Sequence, residues 1–157
     1  MKTLKGIKKF LIMWILAASC INGLSFASAP LSRAEVSSQV FDKVKQNDNW
    51  KLAFLTAKDA QVVFMNISPS TNPNNEIGME THKFDQIIFI VEGNGKAILD
   101  GKTTLVKSGD MIFIPQGVKH NVINSNAKKP LKILSVYTAT DIPANSAFKK
   151  QSDTPQD

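Results

Sequence analysis

The sequence predicts an all-β protein, an antiparallel sandwich or barrel preceded by one short helix. Three observations carry that prediction. From Trp50 onward, nine short runs rich in β-branched and aromatic residues follow one another at close intervals. Turn-forming residues separate them and no helical segment intervenes, which is the texture of hairpin-connected strands and not of strand–helix–strand units. The chain is also the right size for one such domain: 157 residues, 43% hydrophobic and 20% charged, can bury one core but not two. Eight Gly and seven Pro exclude collagen-like and low-complexity classes, and a single Cys excludes a disulfide scaffold.

Charge is distributed unevenly. The formal net charge is +6, from 19 Lys and Arg against 13 Asp and Glu. Lys2, Lys5, Lys8 and Lys9 stand before residue 30, where no acid occurs, so 15 bases against 13 acids remain and the rest of the chain carries +2. No nucleic-acid partner is expected on that balance. The four lysines lead into an apolar run from Phe10 to Ile21 and then into small residues, the order of a secretory signal peptide over residues 1–27. Ser25-Phe26-Ala27 and Ala27-Ser28-Ala29 both have the small-x-small form, and cleavage after Ala27 is preferred because Pro30 stands just beyond the other cut.

The apolar run is shorter than the ~20 residues a spanning helix needs. A permanent anchor is therefore the weaker alternative, and no stable membrane span is expected after cleavage. A third reading treats Leu16 to Cys20 as a lipobox, with Ala17 where Leu is usual and Cys20 as the lipid attachment site. These readings place the protein in the periplasm or outside the cell. With Ala27 cleavage the mature chain lacks cysteine, which suits an oxidising compartment.

Residues 28–49 read as an N-terminal segment with a short helix, since Val36, Val40, Phe41 and Val44 recur at helical spacing and Ser32 with Glu35 fits a capping box. The expected strands are Lys51–Thr56, Gln61–Ile67, Ile77–His82, Gln86–Val91, Lys96–Leu99, Thr103–Val106, Met111–Ile114, Asn121–Asn124 and Leu131–Tyr137. Segments such as Ser68 to Asn75, Glu92 to Gly95, Asp100-Gly101 and Ser108 to Asp110 supply the turns. From Ala144 the chain has little to bury, and it is expected to wrap the surface or fray, with a flexible tail over 149–157.

The chain has two histidines, His82 and His120. In an unbroken extended segment Glu80, His82 and Gln86 have the same parity and point to one face of the sheet. They offer a carboxylate oxygen, an imidazole nitrogen and an amide oxygen, to which a nitrogen from His120 adds the fourth donor of a divalent-metal site. Asp85 has the opposite parity and is expected at the surface or in a turn.

His120 lies in Gly109-x5-Pro115-x-Gly117-x2-His120-x3-Asn124. This run resembles the second signature motif of the cupin superfamily at every fixed position. The first cupin motif, G-x5-H-x-H-x3-4-E-x6-G, is matched in part: aligned on Gly93, Gln86 stands for the glutamate, His82 for the second histidine and Glu80 for the first, with Asn74 in place of the opening glycine. The chain is most similar to cupins whose first motif reads E-x-H-x3-Q. The resemblance covers roughly Trp50 to Phe148. It implies a double-stranded β-helix, the cupin jelly-roll barrel, over residues 50–148, and a metal held by Glu80, His82, Gln86 and His120. Two imidazoles, one carboxylate and one amide suit Mn, Fe(II), Ni, Co or Zn. Gly109, Pro115 and Gly117 shape the turns that aim His120 inward.

Fold does not select an activity among cupins. The first expectation is a metal-dependent enzyme, of dioxygenase, isomerase or lyase type, acting on a small oxygenated organic molecule. The alternative is a non-catalytic, metal-assisted binding or sensing module of the cell envelope, since both histidines are spent as ligands and only Tyr137 and Lys119 remain as reactive groups near the motifs, Lys119 with outward parity. The catalytic residues are not assigned. Phe64, Met65, Met79, Ile88, Phe113 and Val122 are candidates for lining the ligand cavity. Ile87, Phe89 and Val91 point away from the Gln86 face, so a strand apolar on both sides must be covered twice. Either the N-terminal segment or a second copy of the chain, as a homodimer, supplies that cover.

Overall fold

The computed structural model describes residues 30–154. The expected signal, its Ala27 cleavage site and Cys20 lie outside the described residues. In chain order the elements are helix α1 (Val40–Gln46), strands β1 (Lys51–Thr56), β2 (Gln61–Ile67), β3 (Gln86–Glu92), β4 (Asn94–Leu99), β5 (Lys102–Lys107), β6 (Met111–Ile114), β7 (His120–Asn124), β8 (Leu131–Tyr137) and β9 (Ala147–Phe148), then a 3-10 turn at Gln151–Asp153. All strand pairs are antiparallel. They form a six-stranded sheet in the order β6-β3-β8-β2-β1-β9 and a three-stranded sheet in the order β5-β4-β7.

The two sheets meet through one apolar core. Val63, Met65, Ile88, Ile90 and Ile133 come from the large sheet, and Ala97, Val106 and Val122 from the small one. Alternation along each strand produces this division: β6 reads exposed, buried, exposed, buried, with Ile112 and Ile114 inward and Met111 and Phe113 outward. The result is the jelly-roll arrangement expected of the sequence.

A second, smaller cluster lies on the outer face of the large sheet. Val44 of α1 is fully buried there among Phe64, Val91 and Leu134, with Phe89 and Val136 packed alongside. The N-terminal segment thus supplies part of the cover that the two-faced β3 demands. Its helix is shorter than the Ser32–Glu35 capping box implies. Leu31 N donates to the Thr56 carbonyl at 2.8 Å, which holds that stretch against the end of β1, and Val36 is 93% exposed. Helix formation waits until Val40 and Val44 meet the sheet, because a short helix gains its stability from packing more than from a cap.

Two further differences concern the strands. Residues 77–82 do not form a continuous strand; the segment from Glu76 onward touches β7 through single bridges, Glu76 with Ile123 and Glu80 with His120. Between these bridges Gly78 adopts a φ of 102°, and its N–H donates to the side-chain Oδ1 of Asn121 at 3.1 Å. A side chain there replaces the backbone ladder. At the other end of the chain, Ala147–Phe148 adds a two-residue strand to the edge of β1. Gln151 Nε2 then donates to the Ile77 carbonyl at 2.9 Å, tying the tail to the segment that leads into Glu80. Among the described residues no helix is long and apolar enough to cross a membrane.

Candidate metal centre

The two motif segments reach one place by backbone pairing. Glu80 and His120 exchange both backbone hydrogen bonds at 2.9 Å, so these directly opposed residues project to the same side. Two residues further along, His82 accepts a bond through its carbonyl from Gly117 N at 2.9 Å. Gly117 turns the chain with a φ of 83°, a conformation that suits glycine. Asp85 Oδ1 accepts from Gln116 N at 2.8 Å in the same turn, so Asp85 serves the Pro115–Gly117 bend and not the cavity.

Glu80, His82 and His120 each bring one ligand atom within 4.8 Å of the others. Donors held at about 2.1 Å from one ion stand about 3–4.2 Å apart, so closing this triangle takes a few tenths of an ångström from each side chain. Nδ1 of His120 lies 2.9 Å from the Val118 carbonyl. An imidazole that donates from Nδ1 carries its lone pair on Nε2, and that Nε2 is buried without a partner. Nε2 of His82 is also buried without a hydrogen bond, although it sits 3.3 Å from Oε2 of Glu80. The His82 ring is stacked on Phe84, with centroids 4.6 Å apart, which fixes its plane.

Gln86 comes from β3, on the inner face, directly opposite Tyr137 of β8. It is 1% exposed. Its Nε2 donates to Ser135 Oγ at 3.2 Å while its Oε1 is buried and unpartnered. The Tyr137 ring stands 5.8 Å from that of His82, which sets Gln86 at the same end of the barrel as the histidines.

Electrostatics favours a cation here. Burial by itself raises the Glu80 carboxyl, but the His82 contact, Lys51 and His120 outweigh it and the net shift is downward. Burial pushes the His120 imidazole down, against the opposing effect of its bond to Val118. At neutral pH the cavity therefore holds an ionised carboxylate beside a neutral His120, the forms that ligate. Burial drives the Tyr137 phenol well up, with the Glu80 and Asp141 charges adding to it. Tyr137 is a proton donor at neutral pH and not a base.

The cavity beside these groups has a volume of about 460 Å³ and is lined by Lys51, Met79, Glu80, His82, Asp141 and Ile142, among others. Of the side chains expected to line it, Met79 does so, while Met65, Ile88 and Val122 are core. Phe113 is 53% exposed on the outer face and Phe64 packs under α1; both have outward parity in the observed register. Lys119 is exposed. The sequence reading passed over Lys51 and Asp141. Lys51 was legible as a lysine sharing parity with buried Ala53, but its place opposite the first motif depends on long-range register.

Residues 70–137 match the cupin domain family. A Bacillus halodurans protein of known crystal structure superimposes with a TM-score of 0.72 at 25% identity, over 80% of this chain and 97% of that one. A cupin 2 domain-containing protein from Halorhodospira halophila has a TM-score of 0.50 at 19% identity, covering 59% of this chain and 62% of the other. An uncharacterized protein of Acanthamoeba polyphaga mimivirus is 31% identical over 108 residues, 66% of this chain and 65% of the viral protein. The chain thus spans just under two thirds of that relative. Fold and family match agree that residues 70–137 of this chain form a cupin domain.

Proposed function

We propose that the chain is a metal-dependent enzyme acting on a small oxygenated organic molecule, with Glu80, His82, Gln86 and His120 holding one divalent transition ion. One observation carries the reading: Nε2 of His120 and Oε1 of Gln86 are buried without hydrogen-bond partners at the end of the barrel that holds Glu80, and Nε2 of His82 faces the Glu80 carboxylate 3.3 Å away in the same cluster. Each such orphan costs about 1–3 kcal/mol, and a shared cation satisfies all of them. The ion would supply Lewis acidity to an oxygen of the bound molecule, or an oxygen-binding redox centre if it is iron. Mn, Fe, Ni, Co and Zn all accept this donor set. Elemental analysis of protein purified without chelator is expected to find one divalent ion per chain. Protein that carries none, and takes up none on dialysis against cobalt(II), sinks the reading.

A second reading, a metal-assisted binding or sensing module without turnover, is favoured by the state of Tyr137. With both histidines used as ligands and that phenol held protonated, the general bases lining the cavity among the described residues are the Glu80 ligand and the rim residue Asp141. An oxygen-uptake and small-molecule turnover screen on metal-loaded protein separates the two, since a binder gives saturable binding and no product.

Metal retention is expected to depend on pH in one direction. Both shifted groups lose their protons at lower pH than usual, so the ligating forms persist through neutrality. Retention should fall only as acid protonates His120 below the ordinary imidazole value near 6.5. Metal content unchanged down to about pH 4 argues against imidazole ligation.

We further propose export and self-association. The basic and apolar leader supports export, and intact-mass spectrometry of the chain recovered from cells is expected to place the first residue near Ser28, or at Cys20 if lipidated. Retention of Met1 refutes it. For self-association, Met111 and Phe113 are 59% and 53% exposed, beside Phe89 and the half-exposed Phe41 of α1, whose rings lie 6.3 Å apart. Light scattering is expected to give twice the chain mass, and Phe113→Glu to return a monomer. A wild-type monomer at micromolar concentration leaves α1 as the only cover of this face.

A further inference from the structure

The chain after β8 is held to the barrel in two different ways. From Asp141 to Phe148 the hold is firm. The buried Gln61 side chain donates to the Ile142 carbonyl at 2.7 Å and accepts from Ile142 N at 3.2 Å. Ala53 N donates to the Ser146 carbonyl at 2.9 Å, Ala147–Phe148 pairs with β1, and Phe148 packs against the core. Beyond Phe148 a side chain replaces the ladder. Lys149 and Lys150 are exposed, and the 3-10 turn closes on itself, with Lys150 N donating to the Asp153 carboxylate at 3.0 Å and Thr154 N to the Gln151 carbonyl at 3.2 Å. The Gln151 amide reaches across to the first-motif segment, donating to the carbonyls of Ile77 at 2.9 Å and Glu76 at 3.4 Å.

That crossing brings the chain over the cavity. Thr154 lines it together with Glu80, His82 and Ile142, and its hydroxyl is buried without a hydrogen-bond partner. An unpaired buried hydroxyl is a cost of the closed position. The turn has little apolar burial to offset it, since Ser152 and Asp153 are exposed and Gln151 and Thr154 are half-buried. A segment with few buried apolar contacts, held across by a side-chain amide, opens at low cost.

We propose that residues 149–154 are a flap over the cavity, hinged after Phe148 and latched by Gln151 on the Ile77 carbonyl, and that its opening lets ions and small molecules in and out. Gln151 is then a gating residue and Thr154 part of the closed roof. The gating of an ion rests on the metal reading above, and the two fail separately in the following experiments.

Cobalt(II)-loaded protein is mixed with excess chelator, the fading of the cobalt absorption bands gives the release rate, and uptake by metal-free protein is timed in the same way. Gln151→Ala is expected to quicken both by about two- to tenfold, the worth of one neutral hydrogen bond, and a chain ending at Lys149 should quicken them further. Affinity should stay the same, because a gate that binds the ion equally in both positions slows entry and exit alike. Unchanged rates in the shortened chain overturn the inference. Faster release without faster uptake also overturns it, and makes Gln151 a fixed support for the segment that carries Glu80. A second measurement needs no metal: Lys51→Cys places a thiol on the cavity wall, in full and shortened chains that both carry Cys20→Ser. Iodoacetamide is expected to label it at least about twofold faster in the shortened chain, and equal rates overturn the flap. If wild type takes up no cobalt, the metal reading falls and the labelling comparison decides the flap by itself.

Discussion

Replacing His120 by alanine is expected to lower metal affinity about a hundredfold, leaving purified protein nearly free of metal. The magnitude follows from dividing the roughly 10–16 kcal/mol of a four-ligand site among its donors, about 3 kcal/mol each. His120 is the donor whose aim is best fixed: its Nδ1 is engaged by the Val118 carbonyl at 2.9 Å, and its backbone is locked to Glu80 by two hydrogen bonds. His82→Ala should behave alike. Gln86→Ala should cost less, because water replaces a neutral oxygen donor, and Gln86→Glu should hold the ion at least as tightly by adding a negative charge. Elemental analysis after identical purification checks the series. If His120→Ala carries as much metal as wild type, the site is not where these four side chains stand, whatever the fold.

The second large effect is structural and concerns the last residue of the same motif. Asn124 is fully buried at the end of β7. Its Nδ2 donates to the carbonyls of Ile67, Ser68 and Lys129 at 2.9–3.1 Å, and its Oδ1 accepts from Asn126 N at 2.8 Å. Two N–H bonds thus serve three carbonyls, and one amide fastens the end of β2 and the β7–β8 turn to β7. Asn124→Ala leaves these groups unpaired in a buried place, at a cost of about 3–5 kcal/mol. The melting temperature is expected to fall by about 10 °C or more. Asn124→Asp should do no better, since a carboxylate faces three carbonyl oxygens without a proton to share. A melting temperature within about 3 °C of wild type would mean that water or loop rearrangement replaces the amide, and that the motif's asparagine has another role.

Local chemistry set much of this protein before any tertiary contact. β1, β2, β6 and β8 begin and end where alternation and turn residues placed them, because a period of two and a Gly, Pro or Asn at the corner are properties of the chain itself. The spacing Gly109–Pro115–Gly117–His120 likewise located the turn that aims His120. What parity along one segment did not supply was the meeting of segments. Glu80 and His82 were expected on a regular strand over Ile77–His82; instead Gly78 and Asn121 break the ladder, and Glu80 reaches the site by a single bridge to His120. The start of α1, the outward turn of Phe64 and Phe113, and the inward reach of Lys51 were equally hidden. Each depends on which face of a strand is covered and by what, and that is fixed by register between residues tens of positions apart. A strand's sequence states that its two faces differ; only the assembled sheets decide which one is the inside.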